Sequence, residues 1–388
     1  MGKGLGMLTV EFAKTIEDVE KIRSAWMDLN WHPNADIDWF LTVANNRAEV
    51  IRPYIITVLK EGQPTLILIG RIEYTTLDIK FGYKQIWTPR LLTLSVVYGG
   101  ILRKDEDELP VRRVMTEIQN MISRCEVELV VFNHLRTDSY IHHLAVEISS
   151  HRYKENPALS NLHWRISLPD SATTYFGSLK QKTRKNLRRA LRHLEAKYPG
   201  KTEIKCFQKT KDLEIFITDA EKIAKKTYQH VLSEGFADFE AYYKKLIYVA
   251  AQRNSLLAFI LYIEEIPVAY DWGTLYGKIF YWHAGGYDPE YSEIEPGTNL
   301  FVHIINEIFK YDINKVDFGF GDAFYKHMYC NESWNEESVY LFAPKPKTLC
   351  MKYIRSTMLR MNKFGESVLR RTGLLNKIKK YWRQTLPK

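Results

Sequence analysis

Two segments set 203 residues apart constrain this chain more than any other feature. Tyr54 to Gly70 reads YIITVLKEGQPTLILIG, and Leu257 to Gly273 reads LAFILYIEEIPVAYDWG. Each is an apolar run, an acidic turn, a proline and a second apolar run. Glu61, Pro64 and Gly70 fall at the same offsets as Glu264, Pro267 and Gly273. Both segments are therefore expected to be β-hairpins. The order that follows is also shared. Pro110 precedes Val114, Ile118 and Ile122 and then LVVFN; Pro296 precedes Leu300, Ile304 and Ile308 and then KVDFGFG. Apolar residues at i, i+4 and i+8 mark one buried helical face, and strand–helix–strand order implies α/β layering. The chain reads as a tandem repeat of one α/β fold, with chance similarity of common motifs as the alternative.

The 388 residues leave room for two such domains and an appendage. A boundary is expected near Pro169, where HWRISL alternates like a strand and Ser178-Leu179-Lys180-Gln181 has the form of a capping box. The helix that this box opens would run to about Lys197 and stop at Pro199-Gly200. The expected domains are 1–168, 169–344 and a tail, 345–388.

With 45% hydrophobic and 26% charged residues the chain is globular in type. Its apolar stretches fall short of the ~20 residues that a spanning helix needs, and no signal peptide is read at the N-terminus. The four cysteines, Cys125, Cys206, Cys330 and Cys350, have neither C-x-x-C nor zinc-ligand spacing. A reduced, cytoplasmic protein without structural metal is expected. Charge is uneven. Residues 345–388 hold 13 Lys/Arg and one acid, and the rest of the chain sums to −3. A basic nucleic-acid-binding body is not indicated. In the tail, Ile354, Met358, Met361 and Val368 form an apolar stripe opposed by Lys352, Arg355, Lys363 and Arg370, and Leu374, Ile378, Tyr381 and Trp382 continue it. A basic amphipathic helix of this kind either packs on the body or makes peripheral contact with an anionic membrane.

Three constellations carry chemistry. Lys180, Arg184, Arg188 and Arg192 repeat at i+4, and Arg189 broadens the stripe. Like charges in line are mildly destabilising, so an anionic partner is one reading and a solvated face the other. Second, Asp317-Phe-Gly-Phe-Gly-Asp322-Ala-Phe-Tyr325-Lys326 follows a strand-like run, and strand ends are where α/β sheets bind ligands. Taken alone, it reads equally as a glycine turn with a structural Asp and an exposed Lys. Val131 stands in the first half where Asp317 stands in the second. A single active site would then belong to the second half. Third, Tyr281-Trp-His283 places a titratable imidazole on a strand, either a base or a core residue. Phosphate-loop, dinucleotide and nucleophile-elbow motifs are absent from the sequence.

FGSLKQKTRKNLRRALRHLE, PVAYDWGTLYGKIFYWHAGGYDPEYSEIEPGTNLFVHIINEIFK and VDFGFGDAFYK together resemble the two-domain GNAT acyltransferases. The branch they resemble is the CelD-type proteins of polysaccharide biosynthesis, relatives of the Fem aminoacyltransferases. The resemblance spans about residues 40 to 345. It implies tandem GNAT-like α/β domains, each a mixed sheet flanked by helices, followed here by the basic helical tail. It implies acyl transfer to an amine with no covalent enzyme intermediate and no metal, and a reactive cleft between the domains or in the second. Acyl-CoA as co-substrate and an amine of a small or saccharide precursor as acceptor follow from it. Asp317, Asp322, Tyr325, Lys326 and His283 are the expected catalytic residues. Arg184, Arg188 and Arg189, with Gly297, Thr298 and Asn299 where Pro296 opens a helix, are the expected anion-binding residues. The GNAT acyl-CoA signature Q/R-x-x-G-x-G/A is missing from that helix. This leaves room for a Fem-like aminoacyl-tRNA donor, the one reading that involves nucleic acid, although no long coiled-coil arm is present. A non-catalytic binder of anionic polymer is the alternative outside enzymes.

Overall fold

Both hairpins form, and both turn through two consecutive left-handed residues: Glu61 (φ 54°) with Gly62 (φ 78°), and Glu264 (φ 49°) with Glu265 (φ 70°). This geometry matches the natural twist of the strands it joins. The structure is a computed structural model that describes residues 8–82, 84–148, 160–226 and 241–372. The chain runs β1 (Leu8–Ala13), α1 (Ile16–Lys21), α2 (Arg23–Leu29), α3 (Ile37–Asn46), β2 (Val50–Lys60), β3 (Gln63–Thr76), β4 (Ile79–Phe81), β5 (Lys84–Trp87), β6 (Arg90–Arg103), α4 (Glu108–Ser123), β7 (Leu129–Arg136) and α5 (Tyr140–Ile148). It continues through β8 (Ser160–Ser167), α6 (Ala172–Ser178), α7 (Gln181–Lys197), β9 (Thr202–Phe207), α8 (Leu213–Ala224), α9 (Ala241–Gln252), β10 (Leu256–Ile263), β11 (Ile266–Tyr276) and β12 (Ile279–Tyr287). Last come α10 (Pro296–Ile308), β13 (Lys315–Phe320), α11 (Phe324–Tyr329), β14 (Glu332–Phe342) and α12 (Pro346–Arg371).

The chain divides into two compact units. One joins the residues up to 161 with those from 335 onward, and the other spans 162–334. In the first unit the strand order is β1-β2-β3-β6-β7-β14. In the second it is β9-β10-β11-β12-β13-β8. The two patterns agree strand for strand. Three antiparallel pairings are followed by one parallel pairing, β6–β7 or β12–β13, and an antiparallel sixth strand. The sixth strands are exchanged along the chain: β8 follows the first unit but pairs with β13, whereas β14 follows the second but pairs with β7. The expected boundaries at 168/169 and 344/345 are therefore displaced. Strand pairing, not sequence order, decides which unit each segment completes.

The helices expected from i, i+4 spacing are α4 and α10. Val114, Ile118 and Ile122 join Tyr54, Ile56 and Leu68 in the first core, and Leu300, Ile304 and Ile308 join Leu257, Phe259 and Val316 in the second. The capping box at Ser178 does not form. Ser178 ends α6 and donates its hydroxyl to the Tyr175 carbonyl at 2.7 Å, and α7 begins at Gln181 with no side-chain cap. Ser171 caps α6 instead, accepting the Thr174 N–H at 3.1 Å. No helix among the described residues is long and apolar enough to cross a membrane.

The tail forms α12, with one reversal of the expected faces. Lys352 and Arg355, expected outside, are buried with Thr348 and Ser356, and Arg355 lies 4.4 Å over the Tyr340 ring. The long aliphatic stems of these cations supply the packing surface. Leu374, Ile378, Tyr381 and Trp382 lie outside the described residues.

Candidate active site

Parallel pairing between β12 and β13 lasts three residues, from Ile279 opposite Lys315 to Tyr281 opposite Asp317. Beyond that the strands part, and two irregularities open the gap. β12 bulges at His283, because Trp272 faces Ala284 while Gly273 faces Trp282. β13 leaves register with β8 between Asp317 and Phe320, through Gly319 at φ 64° and Gly321 at φ 94°. These values suit glycine alone at no steric cost. Parted strand ends in an α/β sheet form a crevice for ligand.

On the α10 side the gap has an aromatic wall. Trp282 stacks on Phe318 at 4.9 Å, Phe301 of α10 stacks on Tyr329 at 4.0 Å, and Tyr325 meets Phe318 edge-on at 6.1 Å. Trp282 also donates its indole N–H to Asp271 Oδ1 at 2.8 Å. That carboxyl lies against bare backbone: a Cβ at Gly285 would come within 1.6 Å of Asp271 Oδ1. Burial pushes the Asp271 carboxyl up to about 8, against the opposing effect of the Trp282 bond. At neutral pH this group can both hold and release a proton.

Asp317, between Val316 and Phe318 in the strand, points to the opposite face. His163 of β8 lies 2.8 Å from its Oδ1 and is fully buried, stacked 4.3 Å from Trp334. The same oxygen accepts the Gly319 N–H at 2.9 Å, which fixes the backbone where it turns. His283 shares a 2.8 Å hydrogen bond with the Thr274 hydroxyl, and burial pushes its pKa down to about 4. It is a neutral imidazole at neutral pH.

Lys326 is buried and donates from Nζ to the carbonyls of Phe318 at 2.9 Å, Phe320 at 3.0 Å and Gly319 at 3.4 Å. Its three protons are thereby engaged. In this arrangement Lys326 pins the end of β13. Asp322 is turned outward and pairs with His327 at 2.6 Å. Tyr325 is half-exposed beside the aromatic wall. Thus Asp317 and Lys326 converge on the β13 turn, Tyr325 borders the gap, and Asp322 stands apart.

The arginine stripe is also divided. Arg184 donates to the carbonyls of Gly177 and Leu179, closing the end of α6. Arg189 pairs with Glu295 at 2.7 Å, the residue before α10. Arg188 is exposed. At the start of α10, the Thr298 and Asn299 N–H groups donate to the Glu295 carbonyl at 3.0 and 3.2 Å. The buried Asn299 amide also donates to the Ile294 and Glu295 carbonyls at 2.9 and 3.1 Å. Arg184, Arg189, Thr298 and Asn299 thus hold the protein's own backbone and Glu295. A Cβ added at Gly297 would meet Tyr287 at 3.8 Å, an ordinary contact.

Among the described residues no group of His, Cys, Asp or Glu has metal-ligating geometry. Burial pushes the Cys330 thiol up to about 12, unsuited to a thiolate nucleophile. Asp271, Trp282 and His163 were missed by sequence reasoning. The signal for Asp271 was a lone carboxylate inside the apolar run PVAYDWG.

Residues 181–327, from α7 into α11, match the family model described as an acetyltransferase (GNAT) domain. Similar solved structures include FemX, at 11% identity, 88% coverage of this chain, 100% of that one and a TM-score of 0.57. A tandem GNAT protein from the clavulanic acid biosynthesis pathway aligns at 9% identity over 87% of this chain and 99% of that one, with a TM-score of 0.52. The C-terminal domain of a putative lysylphosphatidylglycerol synthetase from Agrobacterium fabrum aligns at 11% identity over 88% and 96%, with a TM-score of 0.50. At such identities these likenesses show the fold alone. No curated protein matches the chain by sequence. Family match and fold define an acyltransferase built on tandem GNAT-like α/β units. Residues 181–327 thus carry a GNAT-type acetyltransferase domain, and the fold of the chain is one shared with tandem GNAT proteins.

Proposed function

We propose that the protein is an N-acyltransferase that moves an acyl group from an acyl-CoA-type thioester to an amine of a small or saccharide precursor, as in polysaccharide biosynthesis, in the cytoplasm. The observation that carries this reading is the gap between β12 and β13, set inside the span that matches the acetyltransferase domain. The amine nitrogen attacks the thioester carbonyl, a C–N bond forms, the C–S bond breaks, and the sulfur leaves as a thiolate that takes up the proton lost by the amine and becomes the thiol. Three tasks follow: binding the acyl group, stabilising the oxyanion and accepting the ammonium proton.

Trp282, Phe318 and Phe301 offer apolar surface for the acyl group. Backbone N–H groups around the His283 bulge and the Gly319–Gly321 turn are suited to the oxyanion. Asp271 receives the proton in its deprotonated fraction, a minority at neutral pH because burial raises its carboxyl to about 8. Asp317 and Lys326 act on the reaction through the backbone that they hold. Arg188 and the Gly297 N–H are the groups left to meet the phosphates of the donor.

The test is a thermal shift with acetyl-CoA, longer acyl-CoAs and tRNA, followed by mass spectrometry of amino-sugar acceptors incubated with the stabilising donor. A ligand at 100 times its Kd stabilises by about 2.7 kcal/mol. Stabilisation by an acyl-CoA and acylated amine product is expected. Stabilisation by tRNA alone would favour the aminoacyl-tRNA reading, and binding without product would favour a non-catalytic binder.

A further inference from the structure

The amphipathic order of α12 is inverted. Toward the first unit it buries Thr348, Met351, Lys352, Arg355 and Ser356. Away from it the helix exposes Tyr353 (63%), Met361 (46%), Phe364 (73%) and Val368 (42%). Spacings of eight, three and four residues place these side chains on one stripe. Arg360, Lys363 and Arg371, all exposed, flank it. Beside this helix lies the β4–β5 hairpin, held in part by Asn362. Asn362 accepts the Gly82 N–H at 2.8 Å and donates to the Lys80 carbonyl at 2.9 Å. The hairpin carries its own exposed apolar groups, Phe81, Ile86 and Trp87, among Lys80 and Lys84. Exposed aromatic and aliphatic groups gathered on two linked elements mark an interaction surface.

The partner is identified by charge. A second copy of this chain would bring together two segments that each hold 13 basic residues and one acid, and like charges oppose that pairing. A nucleic-acid duplex would accept the cations but keeps its base faces stacked, leaving no apolar surface for Phe364, Val368 and Ile86. An anionic bilayer accepts both, with headgroup phosphates for Arg and Lys and the interfacial zone for aromatic rings. We propose that the outer face of α12, with the β4–β5 hairpin, docks the protein on an anionic membrane surface. The contact is peripheral, with α12 lying along the headgroup plane. This surface lies in the first unit and its test uses no substrate, so it stands or falls apart from the acyl-transfer reading.

The experiment is flotation of the full chain with phosphatidylcholine vesicles, with and without one-third phosphatidylglycerol. It compares the wild type with Tyr353→Asp/Phe364→Asp. Both side chains are mostly outside the fold, so the variant is expected to keep its far-UV circular dichroism and melting temperature. The wild type should float with the anionic vesicles and not with the neutral ones, and the variant should lose about tenfold or more of that partitioning. A wild type that stays in solution, or a variant that floats as well as the wild type, overturns the proposal. So does a wild-type dimer in sedimentation that the variant dissolves, which would assign the face to a second copy.

Discussion

The Nε2 of His163 lies 2.8 Å from the Oδ1 of Asp317, inside the second unit, where β8 meets β13. One carboxylate thus ties the exchanged sixth strand to the strand whose end forms the candidate site. It also holds the Gly319 N–H that starts the turn.

This arrangement makes Asp317 a support rather than a reacting group. Asp317→Asn should lower stability by ~1–3 kcal/mol, because a charge-assisted buried contact is weakened. Activity per folded molecule should stay near that of the wild type. Urea unfolding and a rate corrected for folded fraction measure the two quantities.

Lys326→Met should act mainly on stability too. The variant strands the buried Phe318 carbonyl and removes a donor from the partly buried carbonyls of Gly319 and Phe320. Each buried acceptor left unsatisfied costs ~1–3 kcal/mol. A clear fall in the thermal midpoint is expected. An unchanged midpoint with a large loss of kcat would return Lys326 to the reacting centre.

Asp271 predicts a pH dependence of stability with a definite sign. Its folded pKa of about 8 lies above the ordinary 3.8. Below the lower value both folded and unfolded chains hold the proton. Between the two values the unfolded chain has released it and the folded chain has not, so stability falls as pH rises through this window and levels off above it. Asp271→Asn removes this dependence. Its urea midpoint should exceed that of the wild type by more at pH ~8 than at pH ~5. His283 works the other way: with its folded pKa near 4 and an ordinary value of 6.5, it costs stability as pH falls between them. Comparison with His283→Gln separates the two.

Arg188 is exposed on the α7 stripe, as are Arg189 and Arg192, while Arg184 and Arg189 already bond to the Leu179 carbonyl and to Glu295. Arg188→Ala should therefore weaken acetyl-CoA binding roughly tenfold or more, as expected for a lost charged hydrogen bond of ~1.5–3 kcal/mol. Its melting temperature should not change. Titration calorimetry on both proteins gives the ratio, and equal affinities would remove Arg188 from the donor site.

The hairpins, α4, α10 and the tandem order were legible because periodicity and turn chemistry are local. The exchange of β8 and β14 was not. HWRISL announces a strand, but nothing within it says that its partner is β13 rather than β7. The site was legible by region and not by role. VDFGFGDAFYK marked the strand end, yet the partners of Lys326 and Asp317, three carbonyls and His163, come from the folded turn and a distant strand. Asp271 stayed hidden because its titration depends on burial against Gly285, a contact between strands. In α12, reading Lys and Arg as outward groups failed because Lys352 and Arg355 pack through their stems.

Hydrogen–deuterium exchange of the whole chain with and without saturating acetyl-CoA tests the central claim most directly. The account predicts slowed exchange in peptides covering residues 282–286 of β12 and 318–323 at the end of β13. The corresponding ends of β6 and β7 in the first unit should exchange as before. Unchanged exchange at β12 and β13, or protection confined to the first unit, would contradict it.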